Sequence, residues 1–120
     1  MNPLTATDAE VDAWLAEHCH EAHNQYKAGW TVGEIWHPTS DYDQLVLCEA
    51  KVSDRWRLRL AQLPPAWAKS VCLETYECMA DPWGDDTVDD EVHVFSRHAS
   101  ELSARARLVV ATLQWEAEHE

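Results

Sequence analysis

Glycine is scarce in this sequence of 120 residues, with three in all. A phosphate-binding loop needs several closely spaced glycines, and the sequence has neither such a loop nor the GxSxG motif of serine hydrolases. The four cysteines include no CxxC pair, which argues against a structural zinc site. We therefore expect a protein that is not an enzyme and carries no cofactor.

Long apolar runs are also missing, since no stretch approaches the ~20 residues of a membrane-spanning helix. The first residues, MNPLTATDAEVDAW, lack the basic start and apolar centre of a signal peptide. With 46% hydrophobic residues and seven tryptophans, the chain is suited to one well-packed domain. We expect a single domain over residues 1–120, cytoplasmic and without membrane contacts, whose cysteines are free, buried thiols.

Basic residues are few: nine lysines and arginines stand against 22 acids, for a net charge of −13. A nucleic-acid-binding surface must be positive, so we expect no direct contact with nucleic acid. Attraction to a basic protein surface, weakening with salt, is the functional interpretation of this charge, and plain solubility is the alternative. The charge is uneven, because a basic segment (51–69) lies between two acidic ones (1–50 and 70–91).

The first half of the chain begins with a helix signal. Thr7 followed by Glu10 is typical of a capping box, and apolar residues then recur at spacings of three and four as far as Tyr26. This pattern predicts an amphipathic helix of about 20 residues that ends near Gly29. The stretches WTVGEIW and QLVLCEAKV, and the alternating RWRLRL at 55–60, predict short strands, although a helix is not excluded for the last.

The second half predicts a helix after the proline pair at 64–65, with Tyr76 and Met79 among its inward residues. An acidic loop (81–91), a short strand in EVHVF, and a long helix from about Arg97 follow, and Glu101 and Arg105 form an i,i+4 pair on that helix. The apolar stripe of this helix is predicted to consist of Leu102, Ala106, Val109 and Leu113. The predicted fold class is α+β: an N-terminal helix, a small two- or three-stranded antiparallel sheet, a middle helix and a long C-terminal helix.

A cluster of potential metal ligands lies early in the chain, at His18, Cys19, His20 and His23. Zinc needs three or four converging ligands, and HEAH spaces its histidines three apart instead of the four of HExxH. We predict no metal site and a packed, hydrogen-bonded His18, although the sequence does not decide whether the cluster binds metal. The loop at 81–91 lacks the glycine of a calcium loop at its sixth position, where Asp86 stands.

The arginine row, defined as Arg55, Arg57 and Arg59, is the one basic feature with a regular geometry. Alternate residues of a strand share a face about 7 Å apart, so these guanidinium groups could hold a phosphate. Together with Trp30 and Trp36 they form a candidate site for an anionic, aromatic ligand. The alternative is that the row pairs with the protein's own carboxylates.

Part of the chain resembles a known family. The stretch LAEHCHEAHNQYKAGWTVGEIWHP, followed by QLVLCEA and LPPAWAKSV, resembles the ryanodine-receptor repeat domain over residues 10–79. The matching residues are His20, Glu21, Gly29, Trp30, Gly33, Leu45, Val46, Leu63 and Pro64. The resemblance implies binding of a nucleotide-type ligand or of a protein partner, and no catalytic residue.

Taken together, these features predict a non-catalytic acidic protein that binds the basic surface of a nucleic-acid-binding protein. Its concrete form would be a phage-type inhibitor that mimics nucleic acid and blocks a host defence nuclease or CRISPR complex. The alternative is a small-ligand binder that uses the arginine row. The candidate partner contacts, called the acidic set below, are Asp41, Asp43, Asp81, Asp85, Asp86, Asp89, Asp90 and Glu91.

Overall fold

The computed structural model describes residues 1–19, 36–62, 76–82 and 94–119. The helices are α1 (Asp8–His18), α2 (Tyr42–Glu49) and α3 (Glu101–Glu118), and the strands are β1 (Trp56–Gln62), β2 (Tyr76–Pro82) and β3 (Val94–His98). The predicted α+β class is confirmed, with an N-terminal helix, a small antiparallel sheet and a long C-terminal helix. A further helix, α2, precedes the sheet and lies where a strand was predicted. No helix within these ranges combines the length and apolar content that a membrane crossing requires.

The sheet has the strand order β1-β2-β3, with both pairs antiparallel. Trp56, Cys78 and Ala80 are buried on one face, where they pack against Ala104 and Leu108 of α3. We call this group the sheet core. The alternation in β1 agrees with the prediction for RWRLRL: Trp56 is buried and Leu58 half-buried on the inner face, although Leu60 on the same face is 44% exposed, and Arg57 and Arg59 are exposed on the other face.

A second cluster, the helical core, joins the three helices. Its fully buried members are Val11, Leu15 and Cys19 from the α1 region, Leu45 and Cys48 from α2, and Ala106, Val109 and Val110 from α3. Helix α3 contributes to both cores, so it connects the sheet to the other helices. The predicted stripe on α3 is confirmed, since Ala106 and Val109 are buried and Leu102 and Leu113 pack against them.

The segment QLVLCEA is a helix, and the prediction of a strand there was wrong. Asp41 caps α2 by accepting a hydrogen bond from the backbone N–H of Gln44 (3.1 Å). Leu45 and Cys48, three residues apart, are buried in the helical core. A four-residue apolar run does not distinguish a strand from a helix by periodicity, and the deciding signal was the cap residue.

Three element boundaries also differ from the predictions. Helix α1 has the expected capping box but ends at His18, with the non-helical Cys19 as its C-cap. Tyr76 to Met79 belong to β2 instead of a helix, and the rest of that predicted helix lies outside the described residues. Helix α3 begins at Glu101 after the N-cap Ser100, because Arg97 is part of β3.

A buried arginine attaches the N-terminal segment to α3. Arg107 Nη1 donates to the carbonyl oxygens of Pro3 (2.8 Å) and Ala6 (2.5 Å), and Nε donates to Ser103 Oγ (2.9 Å). Its Nη2 donates to Asp8 Oδ1 at 2.9 Å, which completes an ion pair. Since the Arg107 side chain is only 3% exposed, these partners replace the water that its charge has lost.

Candidate functional site

The acidic set is only partly visible in the structure. Asp85, Asp86, Asp89, Asp90 and Glu91 lie outside the described residues. Asp41 is occupied as the N-cap of α2, whereas Asp43 is exposed in the first turn of the same helix. Asp81 lies near the end of β2 and is mostly buried among side chains of the sheet's outer face.

Asp81 is the counter-ion of two arginines in the predicted row. The sheet register places Asp81 directly opposite Arg57, and Arg57 Nη2 lies 3.4 Å from Asp81 Oδ2. Arg59 Nη2 contacts the same carboxylate oxygen. Asp81 is therefore shared by two guanidinium groups and is not free to meet a partner's cations, while each arginine side chain remains about half exposed (51%).

Arg55 does not continue the row, because it lies in the turn before β1. Its Nε and Nη2 donate to the two carboxylate oxygens of Glu116 on α3, at 2.7 and 3.1 Å, and Nη1 donates to Asp54 at 3.0 Å. The hydrogen bonds that Arg55 donates to Glu116 are the main reason that the pKa of Arg55 is raised. The predicted row of three is thus reduced to two arginines on the strand.

Arg105 and Glu49 join α3 to α2 through a similar bidentate pair. Arg105 Nε and Nη2 donate to the Glu49 carboxylate at 3.0 and 2.6 Å, and these hydrogen bonds raise the pKa of Arg105. The guanidinium carbon lies 5.3 Å from the centre of the Tyr42 ring, within the range of a cation–π contact. Arg105 also lies 3.5 Å from Glu101, which confirms the predicted i,i+4 pair.

The arginines with described side chains all form ion pairs with the protein's own carboxylates. They are Arg55, Arg57, Arg59, Arg105 and Arg107. For these residues the structure shows the internal pairing that the sequence left as one of two alternatives. The exposed carboxylates of Glu17, Asp43 and Glu118 lie outside these ion pairs.

The predicted aromatic partners of the arginine row lie elsewhere or outside the described residues. Trp36 packs against the helical core, and its Nε1 donates to the carbonyl oxygen of Asp12 on α1 (3.0 Å). Arg57 and Arg59 are instead on the outer face of the sheet. Trp30 lies outside the described residues. The structure therefore does not gather Trp36 and the arginines around one ligand.

The potential metal ligands are arranged as separate structural contacts. His18 is exposed, stacks on Trp14 with ring centroids 3.7 Å apart, and donates from Nδ1 to the Trp14 carbonyl (2.9 Å). Cys19 and Cys48 are buried and share a hydrogen bond, which together with burial raises the pKa of Cys48. His20 and His23 lie outside the described residues, among which no group of three or more potential ligands converges.

A groove that the sequence did not reveal runs between α2 and β1. We call it the β1–α2 groove; its volume is about 560 Å³, and its apolar walls are Tyr42 and Val46 of α2 and Leu58 and Leu60 of β1. Trp56 and the charged residues Glu49, Arg59 and Arg105 also line it. The sequence did not predict this groove, because a strand was predicted for QLVLCEA. The spacing of Tyr42 and Val46, four apart on a helix, was the signal that would have indicated an apolar helix face.

Comparisons with protein-family models, with curated proteins and with solved structures gave no match for this chain. The resemblance to the ryanodine-receptor repeat domain therefore stays a prediction. Seven of its nine matching residues lie outside the described ranges, and the other two, Leu45 and Val46, are on α2.

Proposed function

We propose that this chain is a non-catalytic binding protein whose surplus carboxylates engage a basic surface on a partner protein. One observation supports the proposal most directly: each arginine with a described side chain already forms an ion pair with a carboxylate of the same chain, and Arg57 and Arg59 share one. The chain has 22 acids and nine lysines and arginines. Even if every lysine and arginine were paired with one acid, the net charge of −13 would leave most of the acids without a cation of the same chain.

The expected benefit of this charge is fast association. A field of one sign over a small protein steers an oppositely charged partner and raises the association rate, with a smaller effect on the final affinity. The carboxylates of the segment 85–91, together with the exposed Asp43, are the contacts we propose. Asp81 is less suited to this role, since Arg57 and Arg59 already hold it.

The concrete form of the proposal is an inhibitor that imitates nucleic acid. A nucleic-acid-binding protein carries a positive groove that recognises regularly spaced phosphates, and a protein with a net charge of −13 offers carboxylates in their place. A phage-type inhibitor of a host defence nuclease or CRISPR complex would act in this way. Such an inhibitor and duplex DNA would exclude each other from the partner.

A second candidate function, binding of a small anionic ligand, is supported by one feature of the sheet. Arg57 and Arg59 share the single carboxylate of Asp81 and keep half of their side-chain surface exposed. One positive charge on this face is therefore not neutralised by that contact. A phosphate of a nucleotide-type ligand is a suitable counter-ion, although Trp36 is too deeply engaged in the helical core to stack on its base.

Two charge variants separate these functions. The first replaces Asp85, Asp86, Asp89 and Asp90 together with asparagine, and the second is Arg57→Glu. Immobilised chains are incubated with a nucleic-acid-depleted lysate of the source cells, and the retained proteins are tested for release by duplex DNA. We expect the asparagine variant to retain at least about tenfold less of the DNA-displaceable proteins than the natural chain. The Arg57→Glu variant should retain as much of them as the natural chain.

The reverse result would remove the proposal. If Arg57→Glu abolished binding while the four asparagines left it unchanged, the carboxylates would serve solubility alone and the small-ligand function would be favoured. The retained material is therefore also analysed for bound small molecules. Circular dichroism of both variants shows whether either change has disturbed the fold.

A further inference from the structure

In the part of the chain that the structure describes, strand β1 presents an open edge. Within the described part of the chain, β1 has a hydrogen-bonded neighbour on one side, β2, and the strand order places β1 at the margin of the sheet. Along such an edge, alternate residues direct their backbone N–H and C=O groups away from the sheet, where they are able to pair with an added strand. The seven residues from Trp56 to Gln62 are long enough to support such pairing.

The β1–α2 groove lies beside this open edge. Five large apolar side chains are exposed among the described residues, and three of them, Tyr42, Val46 and Leu60, line the groove. Tyr42 is the most exposed of the five, at 56%. Residues of a strand added to β1 would alternate between the two faces of the sheet. Those opposite Leu58 and Leu60 would enter the groove and cover its apolar walls.

The other face of β1 specifies the charge of the added strand. Arg57 and Arg59 share one carboxylate, Asp81, which lies on the β2 side of them. A strand on the open side would place its own residues directly beside these two arginines, where acidic side chains are favoured. A second copy of β1 is disfavoured at the same edge, because antiparallel pairing would set arginines against arginines.

We propose that the β1 edge binds an extended segment of a partner protein by strand addition. The segment alternates apolar residues, which fill the β1–α2 groove, with acidic residues, which pair with Arg57 and Arg59. Main-chain hydrogen bonds to β1 supply affinity, and the alternating side chains supply selectivity. This surface is distinct from the carboxylates proposed to bind a basic partner, and the two proposals are tested independently of each other.

The test uses three synthetic peptides of about eight residues. One alternates valine with glutamate, the second alternates valine with lysine, and the third has the composition of the first in scrambled order. Binding is followed by chemical-shift changes in the backbone amides of the full-length chain. We expect the valine–glutamate peptide to shift resonances of 57–60 and 42–50, and the other two to leave them unchanged.

Four variants make the result specific. Leu60→Lys and Val46→Lys, on opposite walls of the groove, should each weaken the binding of the valine–glutamate peptide at least about tenfold. Leu4→Lys is the matched control, because Leu4 is about as exposed as Leu60 (42% and 44%) but does not line the groove. Arg59→Glu should switch the preference to the valine–lysine peptide, as expected if the charge of this face selects the strand.

Several outcomes would overturn the proposal. The first two are binding of the scrambled peptide as tightly as the valine–glutamate peptide, and chemical-shift changes confined to other parts of the chain. The other two are binding that Leu4→Lys weakens as much as Leu60→Lys does, and no binding of any of the three peptides. A dimer in sedimentation that Leu60→Lys dissociates would show that a second copy occupies this edge. Since the two groove variants lie on different elements, an unfolded Leu60→Lys protein still leaves Val46→Lys to decide.

Discussion

Replacing Arg107 with alanine should lower the free energy of unfolding by about 3 kcal/mol. The change leaves the carbonyl oxygens of Pro3 and Ala6 without their donor and removes the cation that Asp8 meets. It also removes a side chain that packs between the N-terminal segment and α3. Urea denaturation, followed by tryptophan fluorescence, measures the loss.

The matched control for this change is Arg57→Ala. Arg57 also forms an ion pair, but its side chain is half exposed, and exposed pairs contribute about 0–1 kcal/mol. If Arg107→Ala lowered the free energy of unfolding no more than Arg57→Ala, Arg107 would not be the buried attachment of the N-terminal segment.

Asp8 makes the effect of Arg107 dependent on pH. Burial acts to raise the pKa of Asp8, but hydrogen bonds from Ser103 and Arg107 and the charge of Arg107 outweigh it, so the pKa is lowered on folding. The stability from this pair is therefore complete above the unfolded pKa of about 3.9 and is lost as the pH falls towards the lower folded value. The difference between the natural chain and Arg107→Ala should shrink accordingly below about pH 4.

Replacing Leu15 with alanine should lower the free energy of unfolding by about 2–5 kcal/mol, the range observed when a fully buried leucine is truncated. Leu15 is fully buried on α1, where it packs in the helical core with residues of α2 and α3. The substitution therefore removes apolar contacts and leaves a cavity among all three helices. The midpoint of thermal unfolding and the free energy from urea denaturation both report the loss.

Leu4→Ala serves as the control for Leu15→Ala, because Leu4 is exposed and precedes α1. A surface change of this kind is expected to alter the free energy of unfolding by no more than about 0.5 kcal/mol. If the two leucine variants unfolded at the same denaturant concentration, α1 would not be part of a cooperative core.

The parts of the fold that followed from the sequence are those with a regular local signal. The Thr7 and Glu10 capping box located the start of α1, the alternation in RWRLRL located β1, and the spacing of apolar residues identified α3. Each of these signals is complete within a few neighbouring residues. Helix α2 lacked one, because its consecutive apolar residues are compatible with either kind of element.

The candidate site was less predictable, because it depends on contacts between distant residues. The sequence predicted that Asp81 belongs to an acidic surface, but the register of β1 and β2 places it opposite Arg57. Arg107, 104 residues from Pro3 in sequence, gave no local indication that it would be buried. The sequence supplied the charges and the alternative of internal pairing, but only the tertiary structure decides which carboxylate meets which guanidinium.

The salt dependence of partner association shows whether the carboxylates steer the partner to this chain. The association rate of the chain with the DNA-displaceable partner is measured by stopped flow between about 50 and 500 mM salt, a range over which the Debye length falls several-fold. We predict a decrease of at least about tenfold, with a steeper slope for the natural chain than for the variant carrying asparagine at 85, 86, 89 and 90. A rate that is independent of salt, or equal slopes for the two proteins, would show that these carboxylates do not drive the association.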